Sequence, residues 1–241
     1  MDALAAAQAT APAVSTIGSH FMLDGQTYKR GAELGFQGLD FYVTGRGGVL
    51  GDVDADAVTA AFAFLEPAYV RIQWEAGCAV MPPAEAAAAF AGCAAAWAEA
   101  HVPDDFDAAR LAELAGRVAD AGRVACVPML AGWRSLPVPE TPKAAAVHQM
   151  NALRELRNGL HAACVIASGL SPLQALSLKQ PQMAPLFGWT ELDDVNGMQP
   201  IWDDAEAATT RAMAHAYEVL SDAERDEFVA LATSLHAATS G

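Results

Sequence analysis

Apolar residues recur at helical spacing along most of the chain. Between Asp24 and Thr44, Leu34, Leu39, Phe41 and Val43 oppose Lys29, Arg30 and Glu33, which predicts an amphipathic helix. It is expected to stop at Gly45-Arg46-Gly47-Gly48, where glycines reach positive φ. Asp54 or Asp52 then caps a helix through Ala57, Phe62 and Leu65, and Pro67 opens another, Tyr69 to Ala76, closed by Gly77. Pro82-Pro83 starts a long alanine-rich helix to about His101, and Asp104 to Ala121 sets Leu111, Leu114 and Val118 on one face.

The pattern breaks between Gly122 and Pro139. Val124 to Leu130 reads as a short extended piece, and Trp133, Pro137 and Pro139 as a connection. From Thr141-Pro142 a long helix runs to Ser168, and Ser171-Pro172 begins a short one to Lys179. Pro181 to Trp189 reads as irregular and Asp193 to Pro200 as a loop. Two helices follow, Trp202 to Leu220 and Ser221 to Ala238, the second opened by a Ser221/Glu224 capping box.

One outline occurs twice. Gly38-Leu39 to Gly48 and Gly159-Leu160 to Gly169 share a register at an offset of 121 residues (38 against 159), and Ala84-Glu85-Ala86-Ala87 falls on Ala205-Glu206-Ala207-Ala208 at the same offset. This predicts an all-α fold of two similar helix-turn-helix-like units, produced by internal duplication and related by a pseudo-twofold axis. The expected divisions are a frayed N-terminal arm at 1–23, a first unit at 24–122, a connection at 123–140 and a second unit at 141–241.

Composition narrows the function classes. Hydrophobic residues make up 53% and charged residues 18%, enough apolar material for a large core, and a net charge of −15 opposes binding to phosphate backbones and anionic lipid surfaces. Nucleic acid and membrane are therefore poor partners on charge. Cys78, Cys93, Cys126 and Cys164 are scattered without metal-ligand spacing and read as free thiols. Met1 to Val14 lacks a basic start followed by a solid apolar run, so a cytoplasmic location is expected.

Several turns carry a family resemblance. Gly47-Gly48-Val49-Leu50-Gly51-Asp52-Val53, Phe64-x-x-Pro67, Trp74-Glu75, Gly169-Leu170-Ser171-Pro172-Leu173 and Phe187-Gly188-Trp189 together resemble the actinobacterial SalK-like family, described as helix-turn-helix-like. The similarity covers about Gln26 to His236. What it implies is chiefly a fold of tandem helical units, found near genes of specialised metabolism.

The candidate chemistry is sparse. The glycines at 45, 47, 48 and 51 do not have phosphate-loop spacing, and Asp52-Val53-Asp54-Ala55-Asp56 lacks the glycine and the glutamate of a calcium loop, so no metal site is expected. Arg46 is a cation in the turn, available to an anionic ligand or to the carbonyls of its own helix. Arg71, Trp74 and Glu75 share a helix face, either as an ion pair over a half-buried indole or as a pocket wall that Tyr42 and Tyr69 would join. His161 sits where the other copy has Asp40, and an imidazole facing a carboxylate across a twofold axis would suit proton transfer. Catalytic candidates are thus His161, Asp40 and Glu75. A lone helical histidine is also a weak haem-ligand candidate.

Three readings stand. The first is a ligand pocket at the junction of the repeats, lined by Tyr42, Arg46, Arg71, Trp74, His161 and Trp189, serving catalysis or carriage of a small molecule. The second is a helix-turn-helix transcription regulator, for which the short helices offer only Lys179 as a base-reading cation. The third is an interaction scaffold pairing through alanine-rich faces, with a homodimer among its forms.

Overall fold

The computed structural model describes residues 1–240, and among them there is no strand. Twelve α-helices are present: α1 Ala3–Ile17, α2 Gly25–Leu34, α3 Asp40–Gly47, α4 Ala55–Phe62, α5 Pro67–Val80, α6 Pro83–His101, α7 Ala108–Ala121, α8 Pro128–Ser135, α9 Pro142–Ala167, α10 Pro172–Lys179, α11 Gln199–Tyr217 and α12 Asp222–Thr239. The all-α expectation holds. No single helix is long and apolar enough to cross a membrane.

Local chemistry explains most of the boundaries. Proline stands in the first turn of α5, α6, α8, α9, α10 and α11, where its missing N–H costs no helical bond. Asp54 caps α4 by accepting from the Ala57 N–H at 2.9 Å, and capping boxes open α10 at Ser171/Gln174 and α12 at Ser221/Glu224.

The 26-residue α9 is the axis of the molecule. It packs most extensively on α7 and also against α1, α6, α8, α10 and α11. One apolar core runs from Ala6 to Leu235 through both expected units and includes Val127, Met129, Leu130 and Trp133 of the expected connection.

Four expectations are corrected. The arm expected to be frayed is α1. Asp2 caps it, Ala6, Ala13, Val14 and Ile17 are buried, and the Thr10 hydroxyl meets the Tyr217 hydroxyl at 2.6 Å inside the core. The single helix expected from Asp24 to Thr44 is two, because Gly35 (φ 100°) and Gly38 (φ 56°) take left-handed conformations that turn the chain. The expected extended piece at Val124 to Leu130 gives way to α8 at Pro128. The glycines of 45–48 are a packing surface as well as a boundary: α3 runs through Gly47, and a Cβ on Gly48 would lie 2.0 Å from the Pro83 carbonyl oxygen. None of these glycines has a positive φ, and the next that does is Gly51.

Segments 25–121 and 142–239 share some element lengths, with α4 and α10 both of 8 residues and α6 and α11 both of 19, but α2 and α3 are two helices where the second segment has the single α9. The helix α5 has no helical counterpart, since its place is taken by the 3-10 turn Pro181–Met183 and the turns after it.

Candidate functional site

Arg154, Arg157, Asn158 and His161 stand at i, i+3, i+4 and i+7 on α9, which puts all four on one face. Opposite them α11 presents Trp202, Glu206 and Thr209 at the same kind of spacing. Between the two helices lies a cavity of about 250 Å³ whose wall is completed by Phe64, Phe187 and Lys179.

His161 is buried at the centre. Its Nδ1 lies 3.2 Å from Thr209 Oγ1 and 3.2 Å from Glu206 Oε1. The Thr209 hydroxyl donates to the Ala205 carbonyl at 2.8 Å, so its oxygen accepts and Nδ1 carries the proton. The Nε2 atom then holds a lone pair and has no protein partner among the described residues. Burial pulls the imidazole pKa down to about 4, Glu206 opposes the shift and Arg157 adds to it, so the ring is neutral at pH 7.

Aromatic walls enclose the ring. Trp202 stands edge-on to His161 with centroids 4.9 Å apart, and Phe64 tilts over it at 5.7 Å. The position of Phe64 depends on a strained turn. Ala63 has φ 54° and ψ −57°, and the Phe64 N–H reaches the Phe62 carbonyl at 2.6 Å. A positive-φ γ-turn at a residue with a Cβ is rare and costs about 1–3 kcal/mol. The Trp189 indole N–H holds this turn by donating to the Phe64 carbonyl at 2.9 Å.

Basic groups crowd the same cavity. Arg157 donates to Glu206 Oε2 at 2.6 Å, while the Lys179 ammonium lies 5.5 Å from the Trp202 ring centroid and donates to Gln199 at 3.0 Å. Arg154 donates to Glu155 Oε1 at 2.8 Å. Glu155 turns away from the cavity into the core, fully buried, and accepts a bidentate pair from Arg46, Nε at 2.9 Å and Nη2 at 2.8 Å. Burial pushes the Glu155 carboxyl up, and Arg46 and Arg154 outweigh it, leaving the pKa below the ordinary carboxylate value.

The residues singled out by sequence therefore separate. His161 lines this cavity, and Trp189 braces it from behind. Arg46 neither meets a ligand nor caps its own helix: it is 2% exposed, paired with Glu155, bonded through Nη1 to the Tyr42 hydroxyl at 3.2 Å and set 4.6 Å from the Phe62 ring centroid. Arg71 is on the surface, paired with Asp56 and 3.8 Å from Glu75. Trp74 is buried beneath α3, where a Cβ on Gly47 would lie 3.3 Å from its ring. Arg71, Trp74 and Glu75 thus form no common wall, because the indole turns inward and the charges outward. Asp40 and Tyr42 line a different cavity, so Asp40 and His161 do not face each other.

Sequence reasoning passed over Arg154, Arg157, Glu206, Phe64 and Trp202. The signal was present as the polar spacing 154, 157, 158 and 161, which sets four polar residues on one face of α9.

Comparison with known proteins gives one match. A family model described as a helix-turn-helix family matches residues 7–198, most of the chain. No curated protein and no solved structure matches it.

Proposed function

The chain belongs to this helix-turn-helix family, and from that premise we propose that it binds a small aromatic carboxylate or similar anion in the cavity between α9 and α11. The observation that carries the reading is the gathering of Arg154, Arg157, Lys179 and His161 around one aromatic-walled hollow lined by a single carboxylate, Glu206, in a chain of 14 basic and 29 acidic residues. Guanidinium groups suit a carboxylate in bidentate geometry, and the Phe64 and Trp202 rings suit a flat apolar body. Neutral His161 offers Nε2 to accept a hydrogen bond, or a proton, from a ligand hydroxyl, so the site is equipped for carriage and for general-base chemistry.

The resemblance of the turns at 47–53 and 169–173 to the SalK-like family supports a role in actinobacterial specialised metabolism. The shared sequence register at an offset of 121 residues and the equal lengths of α4 and α10 and of α6 and α11 support descent from a duplicated unit. Native mass spectrometry of the freshly purified protein tests the main reading. Retention of a low-mass acid by the wild type and its loss from Arg157→Ala are expected; a retained neutral molecule, or equal retention by both proteins, rejects it.

Family membership favours a second reading, a transcription regulator for which the cavity is the effector site. It requires a salt-dependent mobility shift of duplex DNA, and against it stand the net charge of −15 and a short helix, α10, whose one cation is Lys179.

A further inference from the structure

A second cavity, of about 560 Å³, opens among α2, α3, α5 and α6, and its chemistry is the reverse of the first. Tyr28, Tyr42, Tyr69, Phe36 and Phe41 line it together with Asp40, and no lysine, arginine or histidine does. Asp40 is 4% exposed. Its two carboxylate oxygens lie 2.7 and 2.8 Å from the Gln37 N–H, which closes the turn before α3, and among the described residues it forms no ion pair. A buried carboxylate without a cation is costly, and burial does raise its pKa, against the backbone N–H groups of Gln37 and Phe41. The Tyr42 hydroxyl is held by Arg46, while those of Tyr28 and Tyr69 have no partner among the described residues.

Five aromatic side chains and one carboxylate lining the same cavity match one kind of ligand. The rings attract positive charge through their quadrupoles, and the carboxylate adds a directed Coulomb attraction in a sheltered setting. We infer that this cavity is a binding site for an organic ammonium ion, with its charge set against Asp40 and its carbon substituents against the tyrosine and phenylalanine rings.

Choline and its uncharged isostere 3,3-dimethylbutan-1-ol are the probes, titrated by calorimetry and followed by the aromatic proton signals of Tyr28. Choline should bind roughly tenfold or more tightly than the alcohol. Asp40→Asn, which keeps an oxygen for the Gln37 N–H, should remove most of that preference with the helical circular dichroism unchanged. Tyr28→Leu, at a partly exposed wall that carries no structural hydrogen bond, should weaken choline by a similar factor; it supplies the test if Asp40→Asn unfolds. Equal binding of choline and the alcohol, undiminished choline binding in Asp40→Asn or in Tyr28→Leu, or perturbation of Trp202 in place of Tyr28 would overturn the inference. Arg157→Ala leaves choline binding intact if the two sites are separate, so failure here is distinct from failure of the anion site.

Discussion

The two cavities sit on either side of the same loop and differ in the charged residues that line them, three cations and one carboxylate in the first and the lone carboxylate of Asp40 in the second. Leu186 lines the tyrosine cavity and the adjacent Phe187 lines the His161 cavity, while the Phe187 carbonyl accepts from the Glu66 N–H at 2.9 Å and so anchors that loop to the first half of the chain. Between the cavities runs a hydrogen-bonded line of side chains: Tyr42, Arg46, Glu155 and Arg154. Tyr42 belongs to the tyrosine cavity and Arg154 to the other. Arg46, the most conspicuous cation in the sequence, is neutralised inside this partition, whereas Arg157 on α9 and Lys179 on α10 line the other cavity, the first paired with Glu206 and the second bonded only to the neutral Gln199.

The largest effect is expected from breaking the partition. Glu155→Ala leaves the Arg46 guanidinium buried without its counter-ion and should cost about 3–5 kcal/mol of unfolding free energy, measured by denaturant titration. The double change Arg46→Met with Glu155→Leu should recover most of that loss, since apolar side chains of similar volume replace the pair. A double variant as unstable as Glu155→Ala would mean that the pair does more than neutralise itself.

Next comes the charge of the His161 cavity. Arg157→Ala should weaken binding of an aryl carboxylate by roughly tenfold to a hundredfold, in the range of a lost charge-assisted hydrogen bond, and leave unfolding within about 1 kcal/mol. Arg71→Ala, at the exposed pair with Asp56, should leave both binding and stability unchanged to within about 1 kcal/mol. Equal losses from the two variants would erase the distinction between cavity and surface cations.

A smaller effect tests the turn that aims Phe64. Ala63→Gly relieves a positive φ and should stabilise the fold by about 1 kcal/mol, while loosening Phe64 and lowering ligand affinity. The finest test is of protonation. His161 should titrate near pH 4 by NMR, well below an ordinary histidine. Because its folded pKa lies under the unfolded value, the neutral ring's contribution to stability is complete above about pH 6.5 and is lost as pH falls toward 4. A titration near 6.5 would contradict the buried, Nδ1-donating geometry.

Much of this architecture could be read from the chain, and the failures have physical causes. The helices α6, α9, α10 and α12 were legible because proline at the first turn or a capping box marks each start, and these signals are local. The helix α1 was not, since its alanines carry little periodic contrast and its order comes from contacts with α9, α11 and α12 at the far end of the chain. His161 was singled out by its match to Asp40 in the repeat register, although the carboxylate it meets is Glu206. Arg46 was conspicuous but misread, because its partner lies 109 residues on and no local pattern announces it. The strained turn at Ala63 leaves no mark in sequence either, as alanine gives no hint of a positive φ.

Under the proposed function the cavity between α9 and α11 selects for negative charge on a flat apolar body. Calorimetric titration of the wild-type protein with 2-naphthoate and with the matched uncharged 2-naphthamide tests it most directly. The acid should bind and the amide should be at least roughly tenfold weaker, with the difference abolished in Arg157→Ala. Equal affinity for acid and amide in the wild type would contradict it.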